Sequence, residues 1–174
     1  MTASEPDRVY NVLFLCTANS ARSVLAESLV NAEGGGRFRG FSAGSNPRGS
    51  IHPMALDVLR SLGFPVNGLR SKSWEEFATP DAPKMDFIFT VCDNAAGEAC
   101  PIWPGHPISA NWGIEDPAAV EGPEQRQAFI SALQYLRIRF SLFSALPFES
   151  IDQMTLRSRL AEIGKSEGAT AASQ

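Results

Sequence analysis

The sequence predicts a single α/β domain built on a four-stranded parallel sheet in the flavodoxin-like order 2-1-3-4, flanked by helices. Three observations predict it. Strand-length apolar runs alternate with stretches of helical periodicity, which implies parallel strands joined by right-handed crossovers. The first run, Val9 to Leu15, reads as an apolar strand suited to the middle of a sheet buried on both faces. The cysteines and an Asp-Pro turn fall at or just beyond the ends of the runs, at the carboxyl edge where open parallel sheets bind ligands.

In chain order, Val9 to Leu15 leads through a small polar loop into an amphipathic helix, Ser23 to Glu33, with Val24, Leu25, Leu29 and Val30 apolar. Gly34 to Gly36 end that helix. A second strand fits Phe38 to Ala43, followed by a Gly/Pro turn region. The next helix runs from Pro53 to Leu62, with Pro in its first turn and Gly63 just past its end. Phe64 to Pro83 reads as loop with a short helix around Trp74 to Phe77, and Asp86 to Val91 as the third strand. A fourth strand fits Ile108 to Trp112. Phe129, Leu133, Leu136, Phe140 and Phe143 recur at helical spacing within Pro123 to Leu146, and Pro147 stops that helix. Ser150 and Gln153 form a capping box for a last helix to about Ile163, which buries Leu156, Leu160 and Ile163. Residues 8–164 make the domain, and the small, polar stretch 165–174 is expected to be a disordered tail.

A chain of 174 residues, 44% hydrophobic and 20% charged, is long enough for one real core and too short for two full domains. A net charge of −4 argues against nonspecific binding to nucleic acid or to an anionic membrane, so any anion site must be local. Met1 to Arg8 lacks an apolar signal region and no apolar run approaches a membrane span, so a cytoplasmic protein is expected. Three cysteines in a reducing compartment argue for reactive or inert thiols rather than a disulfide framework.

The loop after the first strand carries the chemistry. Cys16 and Arg22 bracket Thr17, Ala18, Asn19, Ser20 and Ala21, small or turn-forming residues that let the backbone curl with its N–H groups inward, as anion-binding nests do. Asn19 tolerates the left-handed conformation such a loop demands, and Ser23 at the helix start can donate to a thiolate. The helix N-terminus and the Arg22 guanidinium both favour negative charge, which predicts a depressed Cys16 pKa and a nucleophile at neutral pH. A cysteine ending an apolar strand can equally be a small buried hydrophobe. The strand-loop-helix setting favours the oxyanion site.

Cys92 follows the third strand, so in the expected order it stands beside Cys16, about 5 Å away sideways. Cys100 lies eight positions further on. In one continuous helix that pair would be held about 12 Å apart, whereas a disulfide needs α-carbons within about 7 Å, so joining them requires Asp93 to Ala99 to change conformation. Asp116, on a loop after the fourth strand, can act as general acid toward an oxygen leaving a Cys16-bound oxyanion. His52 and His106 precede prolines and read as structural, and Trp103 and Trp112 as packing for the loop that carries Cys100.

Val12 to Ser23, Phe41 to Ser45, Val91 to Pro101, Trp103-Pro104-Gly105 and Trp112 to Ala118 together resemble the bacterial arsenate reductases built on the low-molecular-weight tyrosine phosphatase fold. The resemblance covers roughly Val9 to Ile163. It implies that Cys16 attacks arsenate, with Asp116 assisting loss of hydroxide, and that Cys92 attacks Cys16 to release arsenite. Cys100 then resolves the Cys16 to Cys92 disulfide, leaving Cys92 joined to Cys100 for thioredoxin, glutaredoxin or another thiol donor to reduce. Phosphate and sulfate are the expected substrate analogues, and no tightly bound cofactor is implied. Some relatives bind potassium near the loop through an acidic residue in the region of Leu69 to Ser73. This chain has Arg70 and Lys72 there, so no metal is expected.

Two other functions fit the same residues. A low-molecular-weight tyrosine phosphatase would use Cys16, Arg22 and Asp116 through a cysteinyl-phosphate. It usually carries tyrosines after the Asp-Pro, where this chain has Ala118 and Ala119, and it does not need Cys92 or Cys100. A non-catalytic redox or oxyanion sensor would bind the anion and report thiol oxidation to a partner.

Overall fold

A computed structural model describes residues 8–93 and 103–170. Strands β1 (Tyr10–Cys16), β2 (Phe38–Gly44), β3 (Phe87–Thr90) and β4 (Ile108–Asn111) form one sheet in the order β2-β1-β3-β4. Every pairing is parallel, with Cys16 beside Gly44 and Leu15 beside Thr90. The expected sheet order therefore holds, and it sets the carboxyl ends of β1 and β3 side by side.

β1 is buried on both faces. Tyr10, Val12, Phe14 and Cys16 face the larger core with helices α1 (Arg22–Glu33), α2 (Pro53–Ser61), α3 (Gln125–Ser144) and α4 (Gln153–Gly164). Leu13 and Leu15 face a smaller cluster with Ile88, Met85 and the 3-10 turn Trp74–Phe77. The periodic apolar residues expected of α3 and α4 are all buried. α2 starts where the His52-Pro53 pair suggested. His52 Nδ1 accepts the Met54 amide at 3.0 Å and its ring lies on Phe129, a structural role for this histidine.

Three expectations change. The last helix is capped by Asp152, whose carboxylate accepts the Thr155 amide at 2.8 Å. Ser150 belongs to the turn before it and donates to the Pro147 carbonyl at 3.3 Å, which leaves it too early in the chain to reach the first helical amides. Trp112 lies one residue past β4 and is a core residue, stacked on Phe89 at 3.6 Å with Nε1 donating to the Leu160 carbonyl. Trp103 does pack at the periphery, edge-on to Trp74. Finally, the stretch expected to be a disordered tail lies against the domain as far as Thr170, with Ala169 bridged to Ile114 and the Thr170 amide donating to the Gly113 carbonyl. The reason is a buried cation, Arg139 of α3, which donates to the carbonyls of Gly164, Ser166 and Glu167.

Candidate active site

The loop between β1 and α1 is shaped from outside by its carbonyls. The Thr17 carbonyl accepts the Asn46 amide, that of Ala18 the Arg48 amide and the Ser71 hydroxyl, and that of Ser20 the His52 amide, at 2.9 to 3.1 Å. In a trans peptide the N–H points opposite to the C=O, so the amides of Ala18, Asn19 and Ala21 turn inward. The Asn19 amide accordingly donates to Cys16 Sγ at 3.3 Å. Asn19 has φ 47°, the left-handed conformation expected of it. Gly44 makes the fit possible: a β-carbon there would collide with the Thr17 carbonyl and crowd Asn19.

Cys16 is 4% exposed, and Ser23 Oγ stands 2.9 Å from its sulfur. Asn19 Nδ2 donates to the same oxygen at 2.8 Å, which leaves the Ser23 hydroxyl proton for the sulfur. Burial pushes the Cys16 thiol above its ordinary pKa; the Ser23 hydroxyl and amide draw it back, negative charge on Cys92 adds to the rise, and Arg22 lowers it weakly. This reverses the expected depression. The main cause is the depth of burial; Arg22 offsets little of it, donating to the Ile114 carbonyl at 2.8 Å and standing 3.8 Å from the Asp116 carboxylate.

Cys92 is also buried, with its sulfur 3.7 Å from Thr17 Oγ1. Asp116 accepts the Ala118 amide at 2.9 Å, fixing the Asp-Pro turn, and leaves 43% of its side chain exposed. A cleft of about 480 Å³ is lined by Arg22, Cys92 and Asp116 together with Asp93 and Thr170. Cys100 and most of the Asp93 to Ala99 segment lie outside the described residues, so the expected conformational change falls there.

Sequence reasoning missed the brace behind the loop. The Lys72 amide donates to Asn19 Oδ1 at 2.9 Å, and its ammonium, 8% exposed, donates to the carbonyls of Ser42 and Arg70 and lies 3.8 Å from Glu27. Burial pushes the Glu27 carboxyl up and the Lys72 ammonium down, and each charge opposes the shift of the other. Among the described residues no three His, Cys, Asp or Glu side chains gather as metal ligands would. Two sequence features touch the brace: Lys72, a cation near the loop where some relatives carry an acidic residue, and the Phe41 to Ser45 motif that contains Ser42.

The sheet order, the loop and its position match a known family: a model described as low molecular weight phosphotyrosine protein phosphatase matches residues 11–140. The chain belongs to that family. Within the low molecular weight phosphotyrosine protein phosphatase family it is similar to proteins named arsenate reductase. One from Bacillus licheniformis is 33% identical over 117 residues, 67% of this chain and 80% of its own length. A solved structure described as an arsenate reductase in the phosphate binding state has a TM-score of 0.59 at 26% identity, covering 74% of this chain and 95% of that one. A thioredoxin-dependent arsenate reductase of Corynebacterium glutamicum shares the fold, with a TM-score of 0.56 at 24% identity over 80% of this chain. This chain spans 63% of that protein's length.

Proposed function

We propose that this chain reduces arsenate to arsenite through a thiol relay. Arsenate is held by the inward amides of the Thr17 to Ser23 loop and by Arg22, which exchanges its bond to the Ile114 carbonyl for the anion. Cys16 Sγ attacks arsenic and passes its proton to an arsenate oxygen. An As–O bond breaks as Asp116 protonates the departing oxygen, which leaves as water. The Cys92 thiol then passes its proton to an oxygen of the departing arsenite as its sulfur attacks Cys16 Sγ; an S–S bond forms, the S–As pair passes to arsenic, As(V) becomes As(III), and arsenite leaves. Cys100 attacks Cys92 and frees Cys16, and thioredoxin or glutaredoxin supplies two electrons to the Cys92 to Cys100 disulfide.

The observation that carries this reading is the second thiol. Cys92 is buried beside the loop, its sulfur 3.7 Å from Thr17 Oγ1, a placement that phosphate-ester hydrolysis does not require. The relatives named arsenate reductase support the same reading. A raised Cys16 pKa is compatible with it, because the substrate brings oxygens that accept the thiol proton during attack. Among the described residues no helix is long and apolar enough to cross a membrane.

The test is arsenate-dependent NADPH oxidation in the presence of thioredoxin and its reductase, run beside hydrolysis of a phosphate monoester. Sustained oxidation with weak hydrolysis is expected. Hydrolysis without any arsenite formed makes the chain a phosphatase, and anion binding with neither activity makes it a sensor. With Cys100→Ser, one arsenite per protein is expected and then a stall. Repeated turnover of that variant with thioredoxin alone overturns the resolving role of Cys100.

A further inference from the structure

Beyond residue 140, where the family match ends, the chain makes a return to the cleft that the proposed chemistry does not use. Arg139 is fully buried, and burial pushes its pKa down. Among the described residues no carboxylate pairs with it. It donates instead to the carbonyls of Tyr135, Gly164, Ser166 and Glu167, at 2.9 to 3.4 Å. A buried guanidinium without these dipoles would be costly, so the cation and the chain after α4 hold one another. Gly168, with φ 89°, then crosses the Tyr135 ring so closely that a β-carbon would collide with it.

The end of this strap meets the site at two points. Ala169 bridges to Ile114, the residue whose carbonyl accepts Arg22 at 2.8 Å. Thr170 donates through its amide to Gly113 and through Oγ1 to Asp93 at 2.7 Å, and Asp93 directly follows Cys92. Thr170 also lines the cleft with Arg22, Cys92 and Asp116.

We infer that residues 164–170 are a positioning strap for the relay, and that Thr170, through Asp93, holds the Cys92 sulfur in line for its attack on Cys16. The kinetic part rests on the proposed arsenate reduction; the placement of Cys92 does not. In that attack the Cys92 to Cys16 bond forms as the Cys16–As bond breaks toward arsenic, so a small misplacement of one sulfur is felt directly in rate.

The experiment uses the full chain with Thr170→Val, which keeps shape and removes the hydroxyl, and Thr170→Ser, which restores it. Reduced protein is mixed with arsenate without external reductant and arsenite is followed through a single turnover. Thr170→Val is expected to slow release about tenfold, equivalent to about 1.4 kcal/mol, at unchanged half-saturating arsenate, and Thr170→Ser to behave as wild type. In a Cys16→Ser background, iodoacetamide labelling of Cys92, read by mass spectrometry, is expected to speed up several-fold with Thr170→Val. An unchanged single-turnover rate, or a change only in half-saturating arsenate, overturns the positioning role. If wild type releases no arsenite, arsenate reduction has failed instead, and the labelling alone decides: equal labelling rates overturn the strap and faster labelling supports it.

Discussion

The two walls of the site are built differently. On the Asn19 side, the loop is fixed by its carbonyls, by Asn19 and by the buried Lys72 to Glu27 pair behind it. On the Asp116 side, Arg22 holds the Ile114 carbonyl at 2.8 Å and stands 3.8 Å from a half-exposed Asp116 carboxylate at the cleft. The difference teaches a division of labour. Groups that must meet a charge developing on a bound oxyanion are preorganised, since donors already in place need no rearrangement during reaction. Groups that would change partners in the proposed reaction, Arg22 as an anion enters and Asp116 as an oxygen leaves, are held at the cleft by contacts that can be exchanged.

That contrast can be broken from the rigid side first. Lys72→Met leaves Glu27 buried beside Ser42 without its cation and is expected to cost about 3 kcal/mol in urea unfolding, with weaker phosphate binding by calorimetry. Unchanged stability and affinity would show that the brace holds nothing. From the open side, Asp116→Asn is expected to lower the steady-state rate about a hundredfold while leaving stability and phosphate affinity near wild type, since the amide oxygen can still accept the Ala118 amide. Full activity in that variant removes the general-acid role.

The smallest effect concerns Cys16 itself. Ser23→Ala removes the hydrogen bond that most lowers the thiol pKa, so the rise of Cys16 alkylation with pH should move further into the alkaline range. Because the folded pKa lies above the unfolded one, the folded chain keeps a proton that the unfolded chain releases. This contribution to stability is fully present below the unfolded pKa and is lost as pH climbs through the folded value. Thermal melts across that range should show the loss, and Cys16→Ser should flatten it.

How much of this was legible depended on distance along the chain. The strands, the loop from Cys16 to Arg22 and the left-handed Asn19 follow from local pattern and turn chemistry, and so does the His52 cap. The end of the fourth strand did not, because Trp112 looks like a strand residue until Phe89 and the Leu160 carbonyl supply its partners from elsewhere. Ser150 and Asp152 are both good capping residues, and only the turn at Pro147 decides between them. Lys72 reaches Ser42 across 30 positions, and Arg139 finds three of its four carbonyls more than 24 residues onward, so neither leaves a local signature. The thiol pKa was misjudged for a related reason: sequence reveals the charges near Cys16, whereas the depth of its burial belongs to the assembled fold.

Gly44 ties the shape of the proposed anion cradle to the architecture of the sheet. Since β2 and the loop touch backbone to backbone there, with no side chain between them to trim or enlarge, the cradle's curvature is inherited from where β2 runs. To reshape the bowl, a strand must move.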